Sequence, residues 1–157
     1  PYYDLNGKVE GDRTYSPIER LYGVNDGDWY EIKIGTDFYL LGSFIFQMFT
    51  GYGITVAVME NLDPQFNWKI WRGNYNDVYS YIVEAYTNVM EKFEQILKKY
   101  MDEKNRQEII NIVNEMCNPN RAKRGDTQII KRKQKEKYEL QRYITRIDRI
   151  IQRLEII

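Results

Sequence analysis

The side chains that could do chemistry in these 157 residues are defined first by a gap, because histidine is absent. That removes the commonest general base, the commonest zinc ligand and every triad that needs an imidazole. The single cysteine, Cys117, cannot form an internal disulfide; it follows a helical, apolar stretch and reads as a buried, inert thiol. Carboxylates, guanidinium groups and aromatic rings remain. Basic and acidic residues balance at 23 each, but unevenly along the chain. Residues 1–119 carry 11 Lys/Arg against 18 Asp/Glu, and residues 120–157 carry 12 against 5. The split is read as a basic C-terminal helix lying near an acidic body. Residues 121–137 have neither aromatic neighbours nor a reading motif, so nucleic acid is not an expected partner.

The elements that must position these groups follow from length and periodicity. The chain has the length of one domain, and 43% hydrophobic with 29% charged residues is the composition of a globular one. No apolar run reaches the roughly 18–20 residues of a membrane span, and the N-terminus carries no signal pattern. With one cysteine, an intracellular, cytoplasmic setting is expected. Residues 1–35, rich in Gly, Asn and Asp, read as loop with short extended pieces. From Thr36 to Gly51 the pattern predicts a helix apolar on all sides and therefore buried, with Thr36 or Asp37 as its N-cap. Residues 51–76 read as irregular, anchored by Phe66, Trp68 and Trp71; with Trp29 and Tyr30 these rings fit core packing better than a binding groove. A long helix follows from Asn76 or Asp77 to about Lys99, and a third from about Asp102 to Met116, stopped before Pro119. The last helix is predicted from about Thr127 to the end. Its stripe is Leu140, Tyr143, Ile144, Ile147, Ile150, Ile151, Leu154 and Ile157. Such a stripe needs a cover, either the domain itself or a second copy, and a homo-oligomer through this helix is expected. The organisation expected is a body over 1–126 and an amphipathic basic helix over 127–157.

Three segments in order resemble the C-terminal lobe of the protein kinase family. Gly11-Asp12-Arg13-Thr14-Tyr15-Ser16-Pro17-Ile18-Glu19 is similar to the end of the activation segment, Gly-Thr-x-x-Tyr-x-x-Pro-Glu, with Asp12 where Thr is usual and Ile18 where Pro is usual. The run from Thr36-Asp37 through Leu41-Gly42 to Met48-Phe49-Thr50-Gly51 resembles the family's central helix, Ser-Asp-x-Trp-Ser-Leu-Gly followed by Met-Leu-Thr-Gly. Met116-Cys117-Asn118-Pro119, ending at Arg124, resembles Met-Leu-x-Pro-x-x-x-x-Arg, and Asp4-Leu5-Asn6 is a weaker match to Asp-Phe-Gly. The resemblance implies a mostly α fold, a helical C-lobe with an irregular N-terminal segment and an extended C-terminal helix. It further implies a buried pair of Glu19 with Arg124, support of a catalytic loop by Asp37, magnesium binding by Asp4, and a substrate-facing segment at Asp12 and Tyr15.

What the sequence does not contain bears on activity. There is no Gly-x-Gly-x-x-Gly, no Val-Ala-Ile-Lys and no His-Arg-Asp, the parts that hold ATP and the catalytic base in a kinase. ATP and magnesium are thus expected only in a complete parent, whose N-terminal lobe would be this chain's partner along with a protein substrate. No cofactor is expected for this chain alone. Asp12 in place of Thr would set a carboxylate near a catalytic carboxylate and points toward a pseudokinase. The reading from a different class is a non-catalytic interaction module using Lys131-Arg132-Lys133-Gln134-Lys135 and the amphipathic tail.

Overall fold

The structure is a computed structural model that describes residues 12–132 and 137–155. Asp4-Leu5-Asn6, Gly11, residues 133–136 and Ile157 lie outside the described residues. Among the described residues the chain is all α, with seven helices and no strand. These are α1 (Ile18–Leu21), α2 (Gly35–Thr50), α3 (Ile54–Asn61), α4 (Tyr75–Leu97), α5 (Glu103–Cys117), α6 (Thr127–Lys131) and α7 (Leu140–Glu155).

Helix α2 is the axis on which α3, α4 and α5 pack. Phe46 meets Phe93 of α4 at 4.7 Å between ring centroids, and Phe38 meets Tyr143 of α7 edge-on at 5.0 Å. Closest approach comes at Gly42, where an added Cβ would lie 2.4 Å from Met116 Cβ and 2.7 Å from Cys117 Sγ. Glycine lets α2 and α5 touch backbone to side chain at that point.

The helix starts earlier than its sequence pattern suggests. A π-helical turn, Tyr30–Ile34, runs directly into Gly35, and the Asp28 carboxylate caps it by accepting the Glu31 N–H at 2.9 Å. Neither Thr36 nor Asp37 is the N-cap: the Thr36 hydroxyl donates to the Ile32 carbonyl and accepts from Arg20 Nη1 at 3.1 Å. Nor is α2 buried all round. Phe44 is 59% and Met48 68% exposed, and Leu40 lies on the same side.

Other boundaries shift for local reasons. Residues 51–76 contain a true helix, α3, with Ile54, Ala57 and Val58 in the core. Helix α4 begins at Tyr75 because the Asp77 carboxylate reaches back to the Asn74 N–H at 3.1 Å. The last helix is two helices. Asp126 N–H donates to the Lys137 carbonyl at 2.9 Å, whereas eleven residues of continuous helix would separate these groups by about 16 Å. Gly125 (φ +117°) makes the turn, and an added Cβ there would lie 2.7 Å from the Lys137 carbonyl oxygen. The returning chain is clamped by Lys137 on Glu31 (2.8 Å) and by Tyr138, whose hydroxyl donates to Glu31 Oε2 at 2.9 Å. Cys117 is buried, its thiol pointing at the Tyr39 carbonyl, and burial pushes its pKa up.

Two consequences are measurable. Gly42→Ala should lower stability by about 1–3 kcal/mol in urea titration, since Met116 and Cys117 must give way. Asp126 accepts from Gln128 N–H and Ile129 N–H at 2.8 and 3.0 Å and pairs with Arg142 at 3.1 Å. Burial opposes its charge, but these donors outweigh burial and hold the carboxyl below its ordinary 3.8. Its stabilisation is therefore complete above that value and lost as pH falls through the lower, folded-state value. Asp126→Asn should remove this part of the acid dependence of Tm, and Asp126→Ala should cost about 1 kcal/mol or more at neutral pH.

Candidate functional site

The site that organises the chain is a buried charge pair. Glu19 sits in α1, a single turn that Pro17 introduces, and is 2% exposed; Arg124 follows the 3-10 turn Arg121–Lys123 and is 1% exposed. Their side chains meet with two parallel hydrogen bonds, Nη1 to Oε1 at 2.8 Å and Nη2 to Oε2 at 2.9 Å. The planar guanidinium matches the carboxylate in this geometry, which a lysine cannot reproduce. Arg124 also donates from Nη2 and Nε to the Asn118 carbonyl at 2.9 and 3.2 Å. Its guanidinium lies 4.9 Å from the Tyr39 ring centroid. Burial works against the cation, and the Glu19 carboxylate overrides it, so the pKa of Arg124 is raised.

The network continues beneath the ring. Thr55 Oγ1 donates to the Ser16 carbonyl at 2.8 Å, which commits its one proton. The Tyr39 hydroxyl, 2.8 Å from the same oxygen, is therefore the donor of that pair. Burial pushes the Tyr39 pKa well up, so the phenol stays protonated. Ser16, Glu19, Tyr39, Thr55, Asn118 and Arg124 thus tie the segment before α1 to α2, α3 and the segment after α5. Tyr39, Thr55 and Asn118 carry no sequence signal for this role; only a buried arginine, once located, would have called for acceptors and a ring around it.

The remaining candidates are not gathered at one point. Asp12 is exposed and caps the turn Arg13–Tyr15, accepting the Thr14 N–H at 2.9 Å, which lowers its pKa. Tyr15, also exposed, lies against Gly53. Asp37 projects from the first turn of α2 and makes no hydrogen bond or ion pair with the described residues. Its neighbours on that face are Leu40, Phe44 and Met48. Asp4 lies outside the described residues, and no group of three metal-ligating side chains assembles among those described. Trp68 is half-buried with Arg13 stacked 5.1 Å from its ring, at a shallow groove of about 260 Å³ shared with Leu21, Val56 and Met59. Trp29 is exposed, while Tyr30 and Trp71 pack against the core.

In comparisons with protein-family models, with curated proteins and with solved structures, nothing matches this chain.

Removing one member of the pair leaves the other charge buried alone. Glu19→Ala should cost about 3–5 kcal/mol in urea unfolding, while Glu19→Leu combined with Arg124→Met should recover much of that loss. A loss below 1 kcal/mol for Glu19→Ala would mean that the pair does not hold the structure together.

Proposed function

We propose that this chain is the C-terminal lobe of a divergent protein kinase, of Ser/Thr type, which forms the structural base and peptide-substrate side of ATP-dependent phosphoryl transfer and is inactive by itself. The observation that carries the reading is the buried, two-bond pair of Glu19 with Arg124 across 105 residues. These are the two positions where the family motifs put a carboxylate and a guanidinium that tie the activation segment to the helical base. The open face of α2 supports it too. Asp37, in the family the residue that receives a catalytic loop, stands without a polar partner among the described residues, on the side where Leu40, Phe44 and Met48 are exposed. A preceding lobe and catalytic loop would cover that side.

The described residues do not fit a nucleotide or magnesium ion. They supply no phosphate-cradling loop and no cluster of metal ligands. The chain's own contribution is architectural: it holds Asp12 and Tyr15 on a capped turn at the surface, where a peptide could be met. The second reading, a pseudokinase or non-catalytic helical interaction module, is favoured by Asp12 itself. A carboxylate there would repel a catalytic carboxylate and raise its pKa.

The chain alone should show no ATP turnover. Phosphotransfer by a pure preparation, abolished by Asp4→Ala, would overturn that expectation. Joined to its upstream coding sequence, the chain should bind ATP and protect the Leu40–Met48 face from hydrogen exchange. An upstream sequence without a strand lysine and an Asp–Asn catalytic loop, together with no ATP binding, would leave the interaction module as the function.

A further inference from the structure

The groove at Trp68 is framed by two cations that have no acidic partner among the described residues. Arg13, on the turn Arg13–Tyr15, lies 5.1 Å from the Trp68 ring centroid, and Lys69 lies 5.8 Å from it. An aromatic ring holds a cation in place without cancelling its charge. Both side chains belong to exposed residues, and neither forms an ion pair among the described residues. Asn67 spends its Oδ1 on the Lys69 N–H at 3.1 Å, which leaves its amide N–H groups as further donors. Against these donors the groove has one carboxylate, Glu60, and an apolar wall of Leu21, Val56 and Met59. Donors without acceptors beside an apolar wall call for a ligand that brings both an acceptor and an apolar group.

We propose that this groove takes an acidic side chain, with an aliphatic neighbour, from the peptide that the chain receives, so that its substrates are acidic peptides. The inference rests on the reading of this chain as the peptide-substrate side of a kinase. Size, place and charge select the occupant. At about 260 Å³ the groove is smaller than the roughly 300–1,000 Å³ of pockets that enclose small molecules, and it suits one or two side chains of a segment lying across it. Arg13 sits between Asp12 and Tyr15, on the turn held at the surface to meet a peptide. The planar fork of Arg13 can grip a carboxylate with two hydrogen bonds, and Lys69 adds a point charge beside it. Glu60 on the same groove and the balance of 11 basic against 18 acidic residues over 1–119 repel a dense polyanion. That disfavours a nucleic acid backbone or an anionic membrane, whereas a single carboxylate is read locally.

A library of peptides with a central Ser and randomised flanks, captured on the immobilised full chain and sequenced, tests the proposal. Asp and Glu should be enriched about three- to tenfold at one position next to an aliphatic residue, the worth of two exposed ion pairs. Arg13→Ala with Lys69→Ala should erase that enrichment and leave Tm unchanged, because both residues are exposed. Arg13→Glu with Lys69→Glu should turn the preference toward Lys and Arg, which a merely structural role would not do. No acidic enrichment, or one that survives the double alanine variant, overturns the proposal. Should the variants fail to fold, the unmodified chain decides: the indole N–H resonance of Trp68 must shift on titration with a selected acidic peptide, and an unmoved resonance overturns it. ATP binding by the chain joined to its upstream coding sequence separates the two readings. ATP binding without acidic enrichment sinks the groove alone; acidic enrichment without ATP binding keeps the groove as the docking site of an interaction module and sinks the kinase reading.

Discussion

A guanidinium cannot leave its charge behind when it enters a protein interior, and the architecture of this chain follows from that constraint at Arg124. The side chain is 1% exposed, so its donors must all find acceptors held in place by the fold. The Glu19 carboxylate supplies two, the Asn118 carbonyl oxygen accepts two further bonds, and the Tyr39 ring covers a face. Each acceptor comes from a different part of the chain. Satisfying one cation thereby fixes the segment before α1, the first turns of α2 and the loop after α5 relative to one another. Removing either partner would strand the other charge in the interior.

Helix α2 illustrates how the same element serves two environments. Gly42 and Ser43 face inward where neighbours come closest, while Phe44 and Met48 face out. The hydroxyl of Ser43 is not idle, because it accepts the Ile54 N–H at 3.2 Å and so starts α3. Leu40, Phe44 and Met48 thus stand exposed on one face of α2 beside Asp37, which has no polar partner among the described residues.

The charge split along the sequence resolves into contacts. Lys137 on Glu31, Arg142 on Asp126, and Arg146 on Glu108 and Glu115 join the basic tail to the acidic body. The side chains are partly buried, and the two pairs of Arg146 are the ones that join α7 directly to α5. The docking of α7 buries Tyr143 and Ile150 and leaves Leu140, Ile144, Ile151 and Leu154 exposed.

Much of this was legible in the sequence. The three-four spacing in α4 and α5 located those helices because one buried face imposes that period on a helix wherever it packs. The motif residues around Glu19 and Arg124 pointed to a pair 105 residues apart. Local pattern failed where a contact distant in sequence outweighed it. Asp28 caps the turn leading into α2, although Thr36 and Asp37 offered nearer caps, because Thr36 is already engaged by Arg20 and Ile32. A single helix from Thr127 onward gave way to two because Asp126, Lys137, Glu31 and Tyr138 meet only when the chain folds back. Periodicity says that a helix has an apolar face; which elements arrive to cover it, and how much stays open, is settled only when the whole chain has packed, because hydrophobic burial has no direction of its own.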